Sequence, residues 1–232
     1  MSYYIYHNPR LERAREKYKE LKLLSLKEMK EAELVVVLGG DGSLLKLVPD
    51  LIRENKPVLF FPCGEKSGIP GFSRLRKRDI RNWKKFPLKK LMLIEAAYNK
   101  NTLLALNDIV LRSGRTARVF RSGIEWGRVN YDLNGDGLVV ATPVGSMAYN
   151  FALGGPVVDK DLELFVINPI ASFHSFSHSL VVGSDHIISI KVSPTQVDLY
   201  LWADGQRHLK VETPAEIKIQ KSQKYLEIVL PE

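Results

Sequence analysis

Five consecutive branched apolar residues, Leu34-Val35-Val36-Val37-Leu38, run directly into Gly39-Gly40-Asp41-Gly42-Ser43. An apolar run this short and bounded by glycines predicts a strand buried on both faces. The spacing of Leu44, Leu45 and Leu47 then predicts a helix from Ser43 towards Asn55, which Pro49 must kink or cut short. Upstream, Tyr3 to His7 predicts a first short strand, Asn8-Pro9 ends it, and a charged helix follows from Arg10 to Leu24. Downstream, Pro57 to Pro62 predicts another buried strand that ends in a glycine-spaced loop, Gly64 to Gly71. Alternating strands and helices at this spacing predict an α/β domain with a parallel sheet. In such sheets ligands bind beyond the carboxyl ends of the strands, where both the Gly39 to Gly42 turn and the Gly64 loop fall.

From Leu91 onward the pattern changes to short β-prone segments. Leu91 to Ala97, Leu103 to Arg112, Val119 to Trp126, Arg128 to Leu133, Gly137 to Ala141, Leu162 to Ile167, Ile187 to Val192, Val197 to Trp202 and Ala215 to Ile219 predict a mostly-β, sandwich-like domain. One helical stretch interrupts it, Ser146 to Leu153, with Thr142-Pro143-Val144-Gly145 before it and Gly154-Gly155-Pro156 after it. A helix inserted among strands, with a glycine turn on each side, suggests a site. The expected division is residues 1–92 for the α/β part and 93–232 for the β-rich part, with a last strand at Tyr225 to Leu230 free to return to the first.

Composition narrows the setting. The chain has 232 residues, 45% of them hydrophobic, enough for one large or two small cores. Its formal net charge of +8 fits an anionic partner without choosing among nucleotides, nucleic acid and acidic membranes. The strongly basic stretch Arg74 to Lys90 reads as a solvated helix face closing the first domain rather than a nucleic-acid patch. A single cysteine, Cys63, forbids an internal disulfide and points to the cytoplasm. No apolar run approaches the ~18 residues needed to span a bilayer, so no membrane partner is expected.

The chemistry starts at the first glycine turn. Free amides at a helix start attract phosphate, and a carboxylate set among glycines there suggests phosphate chemistry with an acid, base or metal role for Asp41. Taken alone, Gly39-Gly40-Asp41-Gly42 is equally a tight turn with an aspartate near a helix start. Asp132-Leu133-Asn134-Gly135-Asp136-Gly137 begins like a calcium loop, but Pro143 stands where the twelfth-position glutamate belongs. His174 and His178 have the spacing of helical metal ligands, but lie in a serine- and phenylalanine-rich segment that reads as a loop. Gly64-Glu65-Lys66-Ser67 lacks the order of a nucleotide P-loop, and no dinucleotide fingerprint or nucleophile elbow occurs.

Three blocks in order resemble the NAD kinase family in its prokaryotic or archaeal form. They are Gly39-Gly40-Asp41-Gly42 after a strand, Leu106-Asn107-Asp108-Ile109-Val110, and Gly135 to Tyr149 running on to Gly154-Gly155-Pro156. The first block is shared with lipid kinases and 6-phosphofructokinases; the third is long and specific. Order and spacing extend the resemblance over nearly the whole chain, including Asp204-Gly205-Gln206. The resemblance implies an α/β domain followed by a β-sandwich-like domain, with the nucleotide site between them. It implies transfer of the γ-phosphoryl group of ATP, or of polyphosphate, to the 2′-hydroxyl of the adenosine ribose of NAD, with Mg²⁺ or another divalent cation. Carried over by position, Asp41 is the catalytic base, and Gly39, Gly40, Gly42 and Lys46 meet the phosphates. Asp41 and Gly42 also touch NAD. Asn107 and Asp108 line its adenosine, and Asp136 with Met147, Ala148, Tyr149, Asn150 and Ala152 holds the remainder. Arg118, Asn134 and Gln206 stand where ligand contacts are frequent in the family. No metal ligands follow from the resemblance, and Asp41 is open to a base, an orienting or a metal role. The family's habit is a homodimer or homotetramer.

The chain departs from the family pattern at Met147, Ala152 and Pro70, and lacks the usual Arg-Pro near His178-Ser179. These departures bear on the nicotinamide side and on the choice between NAD and NADH. Two alternatives remain on sequence grounds: a lipid or sugar kinase of the wider superfamily, and an NAD-binding regulator without catalysis. The first leaves Asn107-Asp108 and Gly135 to Tyr149 without a purpose. The second leaves Asp41 without one.

Overall fold

The apolar run at Leu34 forms a fully buried strand. In the computed structural model, which describes residues 2–22, 28–64, 67–114 and 118–231, β2 (Leu34–Gly39) lies between parallel neighbours β1 (Tyr3–His7) and β3 (Val58–Pro62). By its contacts the chain forms two units, residues 1–91 with 224–232, and residues 92–223.

In the first unit, alternate residues of β1 and β2 (Tyr3, Ile5, Leu34, Val36, Leu38) share a core with Ala14 and Leu21 of α1 (Glu12–Leu21). The expected helix from Arg10 to Leu24 is thus shorter at its start, and residues 23 and 24 lie outside the described residues. The next helix, α2 (Asp41–Arg53), begins two residues earlier than the apolar spacing predicts and runs on through Pro49. It buries Leu44, Leu45, Leu47, Val48 and Leu51. The basic stretch after the glycine loop makes only a five-residue helix, α3 (Lys77–Arg81), and a 3₁₀ turn, Trp83–Lys85, rather than one long helix. Its apolar residues Leu75, Ile80 and Trp83 enter the core, while Arg74, Arg76, Lys77, Arg78, Arg81, Lys84 and Lys85 stay exposed. The sheet closes with the end of β15 (Ala215–Val229), whose Ile228 and Val229 pair in parallel with Val58 and Leu59. Sequence reasoning treated Ala215 to Ile219 and Tyr225 to Leu230 as separate strands; they are one continuous strand.

The second unit is a sandwich of antiparallel strands. One sheet orders β11 (Leu180–Gly183), β10 (Leu164–Ile170), β9 (Gly137–Ala141), β6 (Asp108–Ser113), β13 (Leu199–Ala203) and β14 (Arg207–Val211). The other includes the first part of β15, β12 (Ile188–Val192), β7 (Phe120–Trp126) and β8 (Val129–Gly135), with the hairpin of β4 (Leu88–Tyr98) and β5 (Asn101–Ala105) beside β15. Their inner faces share one core, where Ile109, Leu111, Leu199 and Leu201 meet Ile124, Ile190, Ile217 and Ile219. Two expectations fail here in instructive ways. The single strand expected over Leu103 to Arg112 breaks at Leu106-Asn107, between β5 and β6. The single helix expected over Ser146 to Leu153 is a 3₁₀ turn, Val144–Met147, followed by the one-turn α4 (Tyr149–Ala152), interrupted at Ala148 with φ −96° and ψ −125°.

Candidate functional site

Asp41 is the first helical residue of α2, so its carboxylate stands at the amide-rich end of a 13-residue helix. The glycine loop comes back to it: Gly68 N–H donates to Asp41 Oδ2 at 2.8 Å, and Ser67 Oγ donates to Oδ1 at 2.5 Å. The glycines on either side serve different ends. A Cβ on Gly39 would fall on Ser43 Oγ, which itself accepts a bond of 3.1 Å from Asn8 Nδ2. Gly40 has φ −83°, an angle open to every residue, so the expectation of specially permitted backbone angles is not met there. What its missing side chain leaves is space, with no atom within 4 Å of a built Cβ, and hence an open approach to the main chain. Gly42 and Lys46 are exposed on the same helix start.

In the second unit a cavity of about 750 Å³ opens on the outer face of β6, β13 and β14. Of the residues predicted from sequence, Asn107, Asp108, Ala148 and Tyr149 line it. Val110, Arg112, Tyr200, Trp202, Asp204 and His208, which sequence reasoning left out, complete the wall. Their placement follows from the two-residue period of strands: Leu199 and Leu201 point into the core, so Tyr200 and Trp202 point out. The Trp202 and His208 rings lie 4.2 Å apart, an apolar platform suited to a planar base.

The Leu106-Asn107-Asp108 turn is clamped from two sides. Its amides go to one carboxylate, with Leu106 N donating to Asp204 Oδ2 at 3.0 Å and Asn107 N and Asp108 N donating to Oδ1 at 2.7 and 3.3 Å. Its carbonyls go to Thr142, whose Oγ1 donates to Leu106 O at 2.5 Å and whose N–H donates to Asn107 O at 2.8 Å. Asn107 is 9% exposed, and among the described residues its Oδ1 is buried without a hydrogen-bond partner. Burial, and then the neighbouring charge of Asp204, push the Asp108 carboxyl up to about 7. Asp204 is also raised by burial, to about 6, while its three amide donors and Arg207 hold it back.

Both carboxyls therefore bind protons more tightly folded than unfolded. Over roughly pH 4 to 7 the folded state carries the extra protons, so this pair makes stability fall as pH rises through that window. Thermal melts at a series of pH values are expected to show unfolding at higher temperature at pH 5 than at pH 8. Asp108→Asn is expected to flatten this slope and to stabilise the protein by about 2–4 kcal/mol at pH 8.

The other predicted residues sit elsewhere. Asn150 is fully buried and donates to Ser146 O and Pro156 O, both at 3.0 Å, so its side chain shapes the turn instead of facing the pocket. Met147 is 59% exposed, and Ala152 is also exposed. Gln206 is exposed, whereas Asp204, two residues before it, is the buried group. The signal for that was present in sequence: Asp204-Gly205 has φ of 53° and 62°, the Asp-Gly hairpin turn, which brings an aspartate to the end of a strand pair. Asp136 lies at the opposite end of β6 from Asp108, since Asp108 pairs with Ala141 whereas Asp136 O accepts from Ser113 N. That is roughly 16 Å along the strand. Asn134 is two residues before Asp136, in β8 of the other sheet. Asn134 N donates to Ser175 Oγ at 3.0 Å, in the loop that also carries His174 and His178. Arg118 lines a different, smaller cavity with Asp198. Among the described residues no group of three His, Cys, Asp or Glu side chains converges as a metal site. No described helix is long and apolar enough to cross a membrane.

The sequence model of the ATP-NAD kinase C-terminal domain matches residues 106–230. An NAD kinase of Clostridium beijerinckii is 32% identical over 209 residues, covering 86% of this chain and 74% of that protein. An NAD kinase of Natranaerobius thermophilus is 28% identical, covering 82% and 70%. Among solved structures, an NAD kinase from Archaeoglobus fulgidus in complex with ATP superposes with a TM-score of 0.81 at 24% identity, over 98% of this chain and 92% of that one. Yeast NADH kinase complexed with NADH superposes with a TM-score of 0.83 at 18% identity, over 100% and 84%. The two superpositions speak to the fold.

Proposed function

This chain belongs to the NAD kinase family, and we propose that it moves the γ-phosphoryl group of ATP to the 2′-hydroxyl of the adenosine ribose of NAD, with Asp41 taking the hydroxyl proton. Residues 1–92 then carry the phosphate chemistry, and residues 93–232, apart from the last strand, carry dinucleotide recognition. The observation that supports this most is the cavity beside the clamped 106–108 turn. It combines aromatic side chains with the Asn107 and Asp108 side chains on one wall, the mixture of stacking surface and convergent polar groups that a nucleoside needs.

In the step itself the ribose O2′ forms a bond to the γ-phosphorus, the bond from that phosphorus to the β-bridging oxygen breaks, and the O2′ proton passes to Asp41. Phosphoryl transfer leaves a protein little covalent work, so holding the hydroxyl in line and stabilising charge dominate. The backbone amides at the start of α2 and Lys46 are suited to the phosphates of the donor. A divalent cation bound to those phosphates supplies further charge neutralisation. Ser67 Oγ and Gly68 N–H fix the Asp41 carboxylate and leave its remaining lone pairs for the hydroxyl.

We assign the active form to a homo-oligomer in the cytoplasm. Met147, Phe151 and Val157 are each more than half exposed on the second unit, a solvent-facing apolar surface suited to a second copy. Asp136, at the far end of β6 from Asp108, and Asn134, two residues before it, are then available to a dinucleotide held by a neighbouring subunit. A lipid or sugar kinase has no use for the Asn107-Asp108 turn, and a silent NAD sensor has none for Asp41. The deciding experiment offers the purified protein ATP or polyphosphate with NAD or NADH, in the presence of Mg²⁺. NADP formation from ATP and NAD is expected; measurable NAD binding without phosphorylation would overturn the catalytic reading.

A further inference from the structure

We propose that Asp204 is the positioning residue of the nucleoside pocket: by gripping the amides of Leu106, Asn107 and Asp108 it fixes the turn that presents Asn107 and Asp108 to adenosine. The inference rests on the reading of this pocket as the seat of the adenosine of NAD.

The case begins with where the chain stops being a sheet. β5 ends at Ala105 and β6 begins at Asp108, and Asn107-Asp108 at the break are residues that favour turns. What holds these residues out of a continuous strand is a carboxylate about a hundred positions away, which collects three successive N–H groups at 2.7 to 3.3 Å. Three consecutive amides converging on one anion form a concave nest, and here the anion belongs to the protein. The grip is returned, since Asp204 N donates to Asp108 O at 3.0 Å. Asp204 itself is fixed by the left-handed Asp-Gly turn, and Arg207, just beyond that turn, donates through Nη2 to Leu104 O at the end of β5. The β13–β14 hairpin thus holds both sides of the strand break, and the side chains of Asn107 and Asp108 project from a turn with little freedom to move.

The arrangement has an electrical consequence. Three amide donors and Arg207 favour the ionised form of Asp204 against the burial that raises it, and its charge stands against Asp108 in a buried setting. Burial, and then that charge, raise the Asp108 carboxyl to about 7. The other ionisable groups on the pocket wall are Arg112 of β6, Tyr149 of α4, Tyr200 of β13 and His208 of β14. An ionised Asp108 accepts from an amino group or a ribose hydroxyl; a protonated one donates instead. Dinucleotide binding should therefore carry a pH step near neutrality whose position depends on the charge of Asp204.

The test is steady-state kinetics of NADP formation by the full chain, with NAD and ATP varied separately from about pH 5.5 to 9. Thermal melts accompany each variant. Asn107→Ala comes first: if it leaves KM for NAD unchanged, the pocket reading itself fails and the inference falls with it. If KM rises, Asp204→Asn decides the inference. Asparagine keeps one acceptor oxygen but sets an amide against the Leu106 N–H and removes the charge. The expected result is a KM for NAD raised about 10- to 100-fold, a KM for ATP within about threefold, and a pH step moved down by about one unit. Equal losses for both substrates, or an unchanged KM for NAD with the pH step in place, would overturn it. Should Asp204→Asn fail to fold, Asp108→Asn, which relieves a buried repulsion, takes over. Abolition of the wild-type pH step in that variant supports the coupling; a step that persists, or is absent from the wild type, sinks it.

Discussion

Replacing Asp41 with asparagine is expected to lower kcat for NADP formation by about 10²- to 10⁴-fold while changing KM for NAD by no more than a few fold. The substitution is nearly isosteric, and its surroundings can accept it. Gly68 N–H needs only an acceptor, which the asparagine oxygen supplies, and the Ser67 hydroxyl can rotate to accept from the new amide. Asp41 is only half-buried at the start of a well-packed helix, so the melting temperature should hardly move. What disappears is the ability to receive a proton. A carboxylate that merely orients the ribose hydroxyl would be replaced well by asparagine, and turnover would then fall less than about tenfold. Initial rates of the variant, with a melt to show that it is folded, separate the two. Near-normal turnover would remove Asp41 from the catalytic step altogether.

The parts of this molecule that could be read from sequence are those set by local burial. Leu34 to Leu38 announced a strand with no exposed side, and the glycines after it announced a turn into a helix, which is where α2 begins. The alternation in the second half announced strands buried on one face, and a sandwich is what those strands build. The parts that could not be read depend on hydrogen bonds between distant positions. Asn107-Asp108 favours a turn after Leu106, but nothing near it names the group that holds the break, because that group is Asp204. Asn150 is a local exception: it faces inward to the carbonyls of Ser146 and Pro156, in space provided by Gly155, whose Cβ would fall on its side-chain oxygen. Gln206 looked like the polar group of its turn, yet Asp204 is buried and Gln206 exposed. The aromatic wall was legible in principle. Once Leu199 and Leu201 are assigned to the core, Tyr200 and Trp202 must face away from it, and only then does their chemistry suggest a base-stacking surface.

Gly145→Ala is expected to abolish measurable NAD use, with KM raised more than about 100-fold in whatever protein folds, a loss of about 2.7 kcal/mol or more in binding. The reason is one methyl group with nowhere to go. A Cβ on Gly145 would land on the carbonyl of Asn107, which is backbone and cannot swing aside as a side chain would. The 3₁₀ turn carrying Gly145 cannot retreat freely either. Its N–H donates to Thr142 Oγ1 at 3.1 Å, its carbonyl accepts from Ala148 N at 2.9 Å, and Thr142 directly follows the buried strand β9. Asn107 is held from the other side, its amide by Asp204 and its carbonyl by Thr142. The added methyl must therefore part the two walls of the pocket, displacing Asn107 from one side or Ala148 and Tyr149 from the other. Overpacking of this kind costs ~1–3 kcal/mol in stability and more where backbone meets backbone, so a lowered melting temperature should accompany the kinetic defect. Kinetics at saturating ATP and a thermal melt check both halves of the expectation. A variant that folds with wild-type KM for NAD would show that the contact between the Gly145 turn and Asn107 does not set the pocket.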